Sequence, residues 1–465
     1  MKQEGYKSKY EIKKVEVTTD VLTGRGGLAL FVRYLYKAGI YELLAERFNW
    51  IRKSMKGVAV WNIFKQIFCF FYDGTSRHLV YFDDLKKDEG YGGIIENSPK
   101  EMISSHQVKR FFRVFPLGIS WAFRKVLKVL FIWRLKIKKP EVIMLTLDTM
   151  PMDNDEAEER EGVSVTYKGY KGFQPLQIIW ERKIVDVIFR SGSKHGNHGE
   201  IAVNMVSSLV KQIREEYSSD ATIILRIDGG FFDKENLKVF DGLDIGIICS
   251  GKIYDKTKGY VLGLHKDEWK VYTNGHQEWD YAEFGYRYDS WERFYRGIYT
   301  KPRYEGRQEL LEFARPENII ITNIGVNHKV LANIGAEKQE EMRCAEWIIK
   351  EYHQRGADEL PHRGIKEFGF EEMPFERFAA NNAFYYCMVI AFFLFETFKE
   401  DVLEGVVPVG AYANTVRRKV VDFAGKIVRI SGEIILKVSQ AVMDGLGLKE
   451  LWIRSRSCVS ITGTG

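Results

Sequence analysis

Two apolar runs, each ending in an aspartate, constrain this chain most. Val142-Ile143-Met144-Leu145-Thr146-Leu147 leads into Asp148, and Ile223-Ile224-Leu225-Arg226-Ile227 leads into Asp228. A strand with one wet face alternates apolar and polar residues, so near-continuous runs of this length read as strands buried on both faces. Such strands form the central sheet of an α/β fold, and ligands gather at the rim where they end. An acid on that rim is often only a helix cap, so neither aspartate alone identifies a site.

A third carboxylate stands far downstream, in Tyr352-His353-Gln354-Arg355-Gly356-Ala357-Asp358-Glu359 and its continuation to Lys366. On one ideal helix Tyr352, Arg355, Glu359 and Lys366 fall at about 0°, 300°, 340° and 320°, a single narrow face. Alone, this is an amphipathic helix with a Glu salt-bridged to Arg and Lys. Three carboxylates arriving from two strand ends and a helix face make a metal-binding arrangement, because hard ions such as Mg²⁺ take carboxylate oxygens. Phosphodiester hydrolysis requires an activated water, in-line geometry and neutralised oxygens, and two divalent ions ~3.5–4 Å apart meet all three needs. Arg355 through its planar fork, Lys366 as a point charge and the Tyr352 hydroxyl suit phosphate. Pro361 and Gly364 lie between Glu359 and Lys366, and an internal proline predicts a kink there.

These residues resemble the DDE transposases of bacterial insertion sequences, in the branch with a Tyr-x2-Arg-x3-Glu-x6-Lys signature. Tyr352, Arg355, Glu359 and Lys366 match its spacing, Asp148-Thr149 resembles the first acidic motif, and Arg226-Ile227-Asp228-Gly229-Gly230-Phe231-Phe232 the second; the likeness runs from about residue 20 to about 440. It implies that Asp148, Asp228 and Glu359 are catalytic and hold two Mg²⁺ ions, with Mn²⁺ as substitute, Asp148 bridging both. The implied reaction is water attack at the element's end, followed by attack of the freed 3′-hydroxyl on target DNA in a cut-and-paste cycle. DNA, as terminal inverted repeats and target, and a second subunit in a homodimeric synaptic complex are the implied partners. The expected location is the bacterial cytoplasm, at the nucleoid. Two alternatives stay open: an inactive DNA-binding descendant, against which the intact acids argue, and a stand-alone nuclease of the same fold, against which the signature and the basic helical region argue.

At 465 residues the chain exceeds one ordinary core. Apolar spacing from Gly24 to about Lys139, as in Leu28, Phe31, Tyr34 and Leu35, predicts a helical DNA-binding domain over 1–140. Between Glu101 and Glu141, 39 residues hold no Asp or Glu and ten Lys or Arg, an excess larger than the +6 net charge of the whole chain. Such a window attracts a polyanion. Ser104-Ser105-His106-Gln107 reads as a helix start that would offer Lys109, Arg110 and Arg113 to phosphates.

Beyond Glu141 the pattern predicts strands over Val142–Asp148, Val163–Tyr167, Leu176–Trp180 and Ile184–Phe189, a helix over His198–Tyr217, the strand ending at Asp228, a helix over Lys234–Phe240 and a strand over Ile245–Cys249. That order fits an RNase H-like α/β catalytic core over 141–250 and 319–400, the fold the resemblance also implies. Residues 251–318 interrupt it with fifteen aromatics in 68 residues, against 14% for the chain, and with the hairpin signal Asn274-Gly275. They read as an inserted β-rich domain. In the proteins resembled, such an insertion stacks an aromatic on a displaced base, worth ~1–3 kcal/mol. Trp269, Trp279 and Trp291 are the candidates, and each taken singly fits the insertion's own core better than a base.

Ala383–Phe395, uncharged but short of the ~20 residues that span a bilayer, predicts a helix buried against the sheet and no membrane contact. Residues 401–465, with Arg417, Arg418, Lys419, Lys426 and Arg429, are expected to meet DNA or a partner subunit. Five cysteines without a CxxC pair indicate neither a disulfide framework nor a thiolate zinc site. The N-terminus lacks an apolar core, so no signal peptide is expected.

Overall fold

The computed structural model describes residues 12–463 except 53–55, 158, 195–199, 276, 288–289, 306–307, 311–314 and 355–358, with the side chains of 305, 308, 309 and 359 also left out. The chain opens with a short strand, β1 (Val21–Thr23), followed by helices α1 (Leu28–Ala38), α2 (Ile40–Phe48), α3 (Val60–Asp73), α4 (Phe82–Lys87), α5 (Glu89–Ile94), α6 (Ser105–Arg113) and α7 (Ser120–Lys138). The start expected at Ser104 is a full capping box: the Ser104 hydroxyl accepts the Gln107 N–H at 3.3 Å, and the Gln107 side chain accepts the Ser104 N–H at 2.9 Å.

Next comes β2 (Val142–Thr149), then three short strands, β3 (Met152–Asp153), β4 (Ser164–Val165) and β5 (Lys171–Phe173), which pair among themselves. The strand expected over Val163–Tyr167 is therefore reduced to β4 and lies off the main sheet. The core continues through β6 (Leu176–Trp180), β7 (Lys183–Ile188), α8 (Ile201–Glu216), β8 (Thr222–Ile227), α9 (Lys234–Gly242) and β9 (Gly246–Ser250). Then follow α10 (Asp255–Leu262), β10 (Lys270–Asn274), β11 (Gln277–Tyr286), β12 (Tyr295–Pro302), β13 (Tyr304–Glu305), β14 (Gln308–Glu309) and β15 (Asn318–Thr322). The remainder is α11 (Ala336–Arg343), α12 (Ala345–His353), α13 (Glu359–Gly369), α14 (Phe378–Asp401), α15 (Ala413–Val416), β16 (Gly425–Ile430), β17 (Glu433–Val438), α16 (Gln440–Gly445) and α17 (Leu448–Ser455).

Among the described residues the main sheet is mixed, with nine strands in the order β10-β11-β12-β15-β9-β8-β2-β6-β7. β2 runs parallel to β8, and β8 to β9; the other pairs are antiparallel. Of the strands described in 251–318, β13 and β14 pair with each other in a small sheet of their own, while the others join the main sheet. β10, β11 and β12 extend the main sheet through β15, because β15 pairs with β9 on one side and would otherwise present an open edge on the other.

α14 is the central helix, and its length exceeds the apolar run that announced it. Polar residues flanking that run are buried with partners. Asn381 exchanges hydrogen bonds with the Phe375 backbone, and Lys399 pairs with Glu396 at 2.8 Å and donates to the Val409 and Ala411 carbonyls. By length and composition α14 could cross a membrane, but 89% of its apolar window is buried inside this fold. It touches the sheet through the Tyr386 hydroxyl, which donates to the Val187 carbonyl at 2.7 Å.

The chain's ends meet. β1 pairs with β16, and β16 with β17. Arg417, expected to be available to DNA or a partner, is instead an internal tie whose guanidinium donates to the carbonyls of Phe71, Tyr72 and Phe368 at 2.7, 2.8 and 3.1 Å. These carbonyls satisfy donors that a buried guanidinium would otherwise leave unpaired, while burial still lowers its pKa.

Candidate active site

β2 and β8 lie side by side with Thr146 opposite Arg226 and Leu147 opposite Ile227, so Asp148 and Asp228 leave the same end of the sheet at the same level. Asp228 is still extended, at φ −87° and ψ 174°, and strand alternation puts both aspartates on the face that carries Thr146 and Arg226. Each carboxylate is half-buried and locally held. Asp148 Oδ1 accepts the Thr149 N–H at 2.7 Å, and Asp228 Oδ1 accepts the Gly230 N–H at 2.8 Å, capping the turn Gly229–Phe231. A Cβ at position 230 would stand 2.9 Å from that oxygen, which is why glycine suits the turn. Asp228 thus serves as a cap as well as a rim acid.

Helix α12 covers the same face. Its Ile348 and Ile349 are buried with Ile224, Ile248 and Ile320 of the sheet, and Tyr352 packs, half-buried, against the same cluster. Arg226 ties the helix end to the strands. Its Nε donates to Thr146 Oγ1 at 3.2 Å, and its Nη1 lies 3.4 Å from the Glu351 carbonyl oxygen and 3.6 Å from the Glu351 carboxylate. Trp279 of β11 stacks on His353 with centroids 4.7 Å apart and planes at 27°, a second tie at the same point. Burial holds the His353 imidazole below its ordinary pKa.

The single helix expected across Tyr352 to Lys366 is two helices. α12 ends at His353 and α13 is described from Glu359, residues 355–358 lying outside the described residues, so Tyr352 and Lys366 lie on separate helices. Pro361 lies near the described start of α13. Arg355 and the Glu359 side chain lie outside the described residues. Lys366 pairs with Glu371 at 2.7 Å. On the same helix His362 is pushed down to about 4 by burial and by Lys366.

Among the described residues no three metal-binding side chains cluster. Asp148 and Asp228 contribute carboxylates alone, a donor set that fits a hard divalent cation. Of the aromatics, Trp279 is 7% exposed and sandwiched between His353 and Tyr272, and Trp291 is 8% exposed against Phe232 and Tyr295. Trp269 is half-buried, edge-on to Tyr299 with Lys301 over its ring. All three are packed within their own surroundings. Sequence reasoning missed a cleft of about 960 Å³ that starts at Phe232, four residues past Asp228, lined by Lys234, Lys252, Arg287, Tyr254, Tyr260 and Phe284. Its signal was legible as alternating basic and aromatic residues after Ser250.

The basic window divides into two parts. Lys109, Arg110 and Arg113 on α6 are exposed. On α7, Arg124 grips Asp186 through two bonds of 2.7 Å, Arg134 holds Asp401 and Glu400, and Lys138 pairs with Glu181 and Glu400. Those charges are neutralised by acids from distant parts of the chain, which a count within the window could not register.

No curated protein matches the chain. A solved structure, described as a cryo-EM structure of the piggyBac transposase synaptic complex with hairpin DNA, is similar at 12% identity and a TM-score of 0.41, covering 84% of this chain and 78% of that one. The family match is broader in kind: residues 7–454, which include both aspartate-bearing strands, match the transposase DDE domain, group 1, and the chain belongs to that family.

Proposed function

We propose that this chain is a cut-and-paste DNA transposase of the insertion-sequence branch, which hydrolyses the phosphodiester at the element's ends and joins the freed 3′-hydroxyl to target DNA. The observation that carries the reading is the level placement of Asp148 and Asp228 at the ends of adjacent parallel strands, in a chain of the transposase DDE family. The order β7-β6-β2-β8-β9, with β6 antiparallel to both neighbours and β8 and β9 parallel to β2, supports an RNase H-like core into which 251–318 is inserted.

Asp148, Asp228 and Glu359 would hold the divalent cations, Mg²⁺ with Mn²⁺ as substitute. Bound there, such ions supply charge neutralisation on the reacting oxygens and a water of lowered pKa. The rest falls to the chain's own groups. Backbone N–H groups of Thr149 and Gly230 orient the two carboxylates. Arg226 anchors the end of α12, from which the chain leads to Arg355 and Glu359. Arg355 grips a phosphate, Lys366 reaches one by exchanging its Glu371 partner, and Tyr352 donates to a phosphate oxygen. Exposed Lys109, Arg110 and Arg113 meet the duplex backbone, and the basic, aromatic cleft that begins at Phe232 suits the strand leading away from the cut. The working form is a homodimer on two inverted repeats, in the bacterial cytoplasm.

Incubation with Mg²⁺ and labelled DNA carrying the flanking inverted repeats tests this. End-specific nicking followed by strand transfer is the expected result. Binding without cleavage would identify an inactive descendant, and cleavage without joining or end preference a plain nuclease; either overturns the proposal.

A further inference from the structure

The sheet formed by the two chain ends is open on one side. Its order is β1-β16-β17, and among the described residues nothing pairs with the outer edge of β17. The hairpin has a defined shape, because Ser431 (φ 51°) and Gly432 (φ 83°) form a two-residue turn with both residues left-handed, which matches strand twist. Open edges are normally blunted by proline, a bulge or a run of charge. β17 reads Glu433-Ile434-Ile435-Leu436-Lys437-Val438, with no proline and an unbroken register against β16. Ile434 is 45% exposed, and Ile430 beside the turn is 48% exposed.

We propose that β17 is the surface on which two copies of this chain associate, by antiparallel pairing of β17 with β17 of a second copy. Charge selects both the occupant and the register. A twofold axis perpendicular to the sheet requires paired residues to point to the same face, so partners must lie an even number of positions apart along the strand. Centring the pair on Ile435 sets Glu433 opposite Lys437 of the partner subunit, and the twofold repeats that contact. It also places Ile434 beside Leu436 of the partner subunit. The neighbouring allowed registers lose both ion pairs.

Within one chain these charges have no opposite across the hairpin. Lys437 faces Lys426, a like-charge cross-strand pair, and Glu433 faces Ile430. Lys426 is itself held by Asp20 at 2.7 Å, which leaves Lys437 facing a cation already committed elsewhere. A second copy supplies each of the two charges with its complement and continues the ladder into a six-stranded sheet. A ladder of this length is a small interface, so association is reversible and weakened by salt. The inference stands whatever reaction the chain performs.

The test is the mass of the full chain in solution without DNA, by sedimentation and light scattering over a range of protein and salt concentrations. The expected mass rises from 54.0 kDa toward twice that value as concentration increases. E433K or K437E alone weakens association by roughly tenfold or more. An equimolar mixture of the two single variants regains wild-type association, because each then carries the charge the other lacks, and the doubly swapped E433K/K437E chain regains it by itself. Recovery on mixing separates the ion pairs from misfolding. A wild-type chain that stays monomeric, single variants as dimeric as wild type, or a mixture no tighter than its components would overturn the proposal.

Discussion

Asp148 and Asp228 each combine a local structural duty with a place on the rim, and the two can be separated by a substitution that keeps one oxygen. An asparagine still accepts the N–H of Thr149 or Gly230 but cannot bind a cation as a carboxylate does. D148N and D228N are therefore expected to lower Mg²⁺-dependent cleavage by on the order of 10³ or more with little change in thermal midpoint. Single-turnover assays beside circular-dichroism melts measure both, and normal cleavage by either variant would remove that aspartate from the chemistry. His362 makes a different prediction. Its folded-state value of about 4 lies below the ordinary 6.5, and its Nε2 is buried without a hydrogen-bond partner. As pH falls the unfolded chain takes the proton first, so the contribution is complete above pH 6.5 and is lost as pH drops through 4. The loss should be about 2–3 kcal/mol. Urea unfolding at neutral pH and near pH 4 should show a smaller acid loss in H362Q than in wild type.

Elements reveal why periodicity misled where it did. The stripe Tyr352, Arg355, Glu359 and Lys366 keeps helical phase, and phase survives an interruption that length allows, so spacing could not report that α12 stops and α13 starts anew. The strands were easier, because burial on both faces leaves a continuous apolar run with few other meanings, and Leu176–Trp180 and Thr222–Ile227 lie where that pattern put them. The basic helices split by exposure. Replacing Lys109, Arg110 and Arg113 together by glutamine should weaken DNA binding for all sequences and flatten the log–log salt slope by up to about 3. Replacing Lys138, already paired with Glu181 and Glu400, should leave that slope unchanged. Filter binding over a salt series distinguishes the two.

Over the whole molecule, contacts between residues hundreds of positions apart decide which charges reach solvent. Arg134 is 2% exposed and holds Asp401 at 2.7 Å and Glu400 at 3.0 Å, fastening α7 to the end of α14. R134A would take the paired cation from Asp401, which keeps the Tyr34 hydroxyl, while Glu400 keeps Lys138 and Lys183; it is expected to cost about 3 kcal/mol, read as a lower denaturation midpoint, with the salt slope of DNA binding unaltered. The same long-range closure pairs β1 with β16 and joins 251–318 to the central sheet, and neither event leaves a local trace. What the amino-acid order determined by itself was the local pattern: which segments are strands buried on both sides, that two of them end in aspartate, and that α6 begins at Ser104. Burial and capping are demands each segment meets with its own residues, so they can be read one segment at a time. Only the tertiary structure decided that Asp148 and Asp228 stand level, that Arg226 ties α12 over them, and that acids from β7 and α14 pair with Arg124, Arg134 and Lys138 of α7. Register, pairing and charge compensation depend on a partner elsewhere in the chain, and a segment's own composition does not name it.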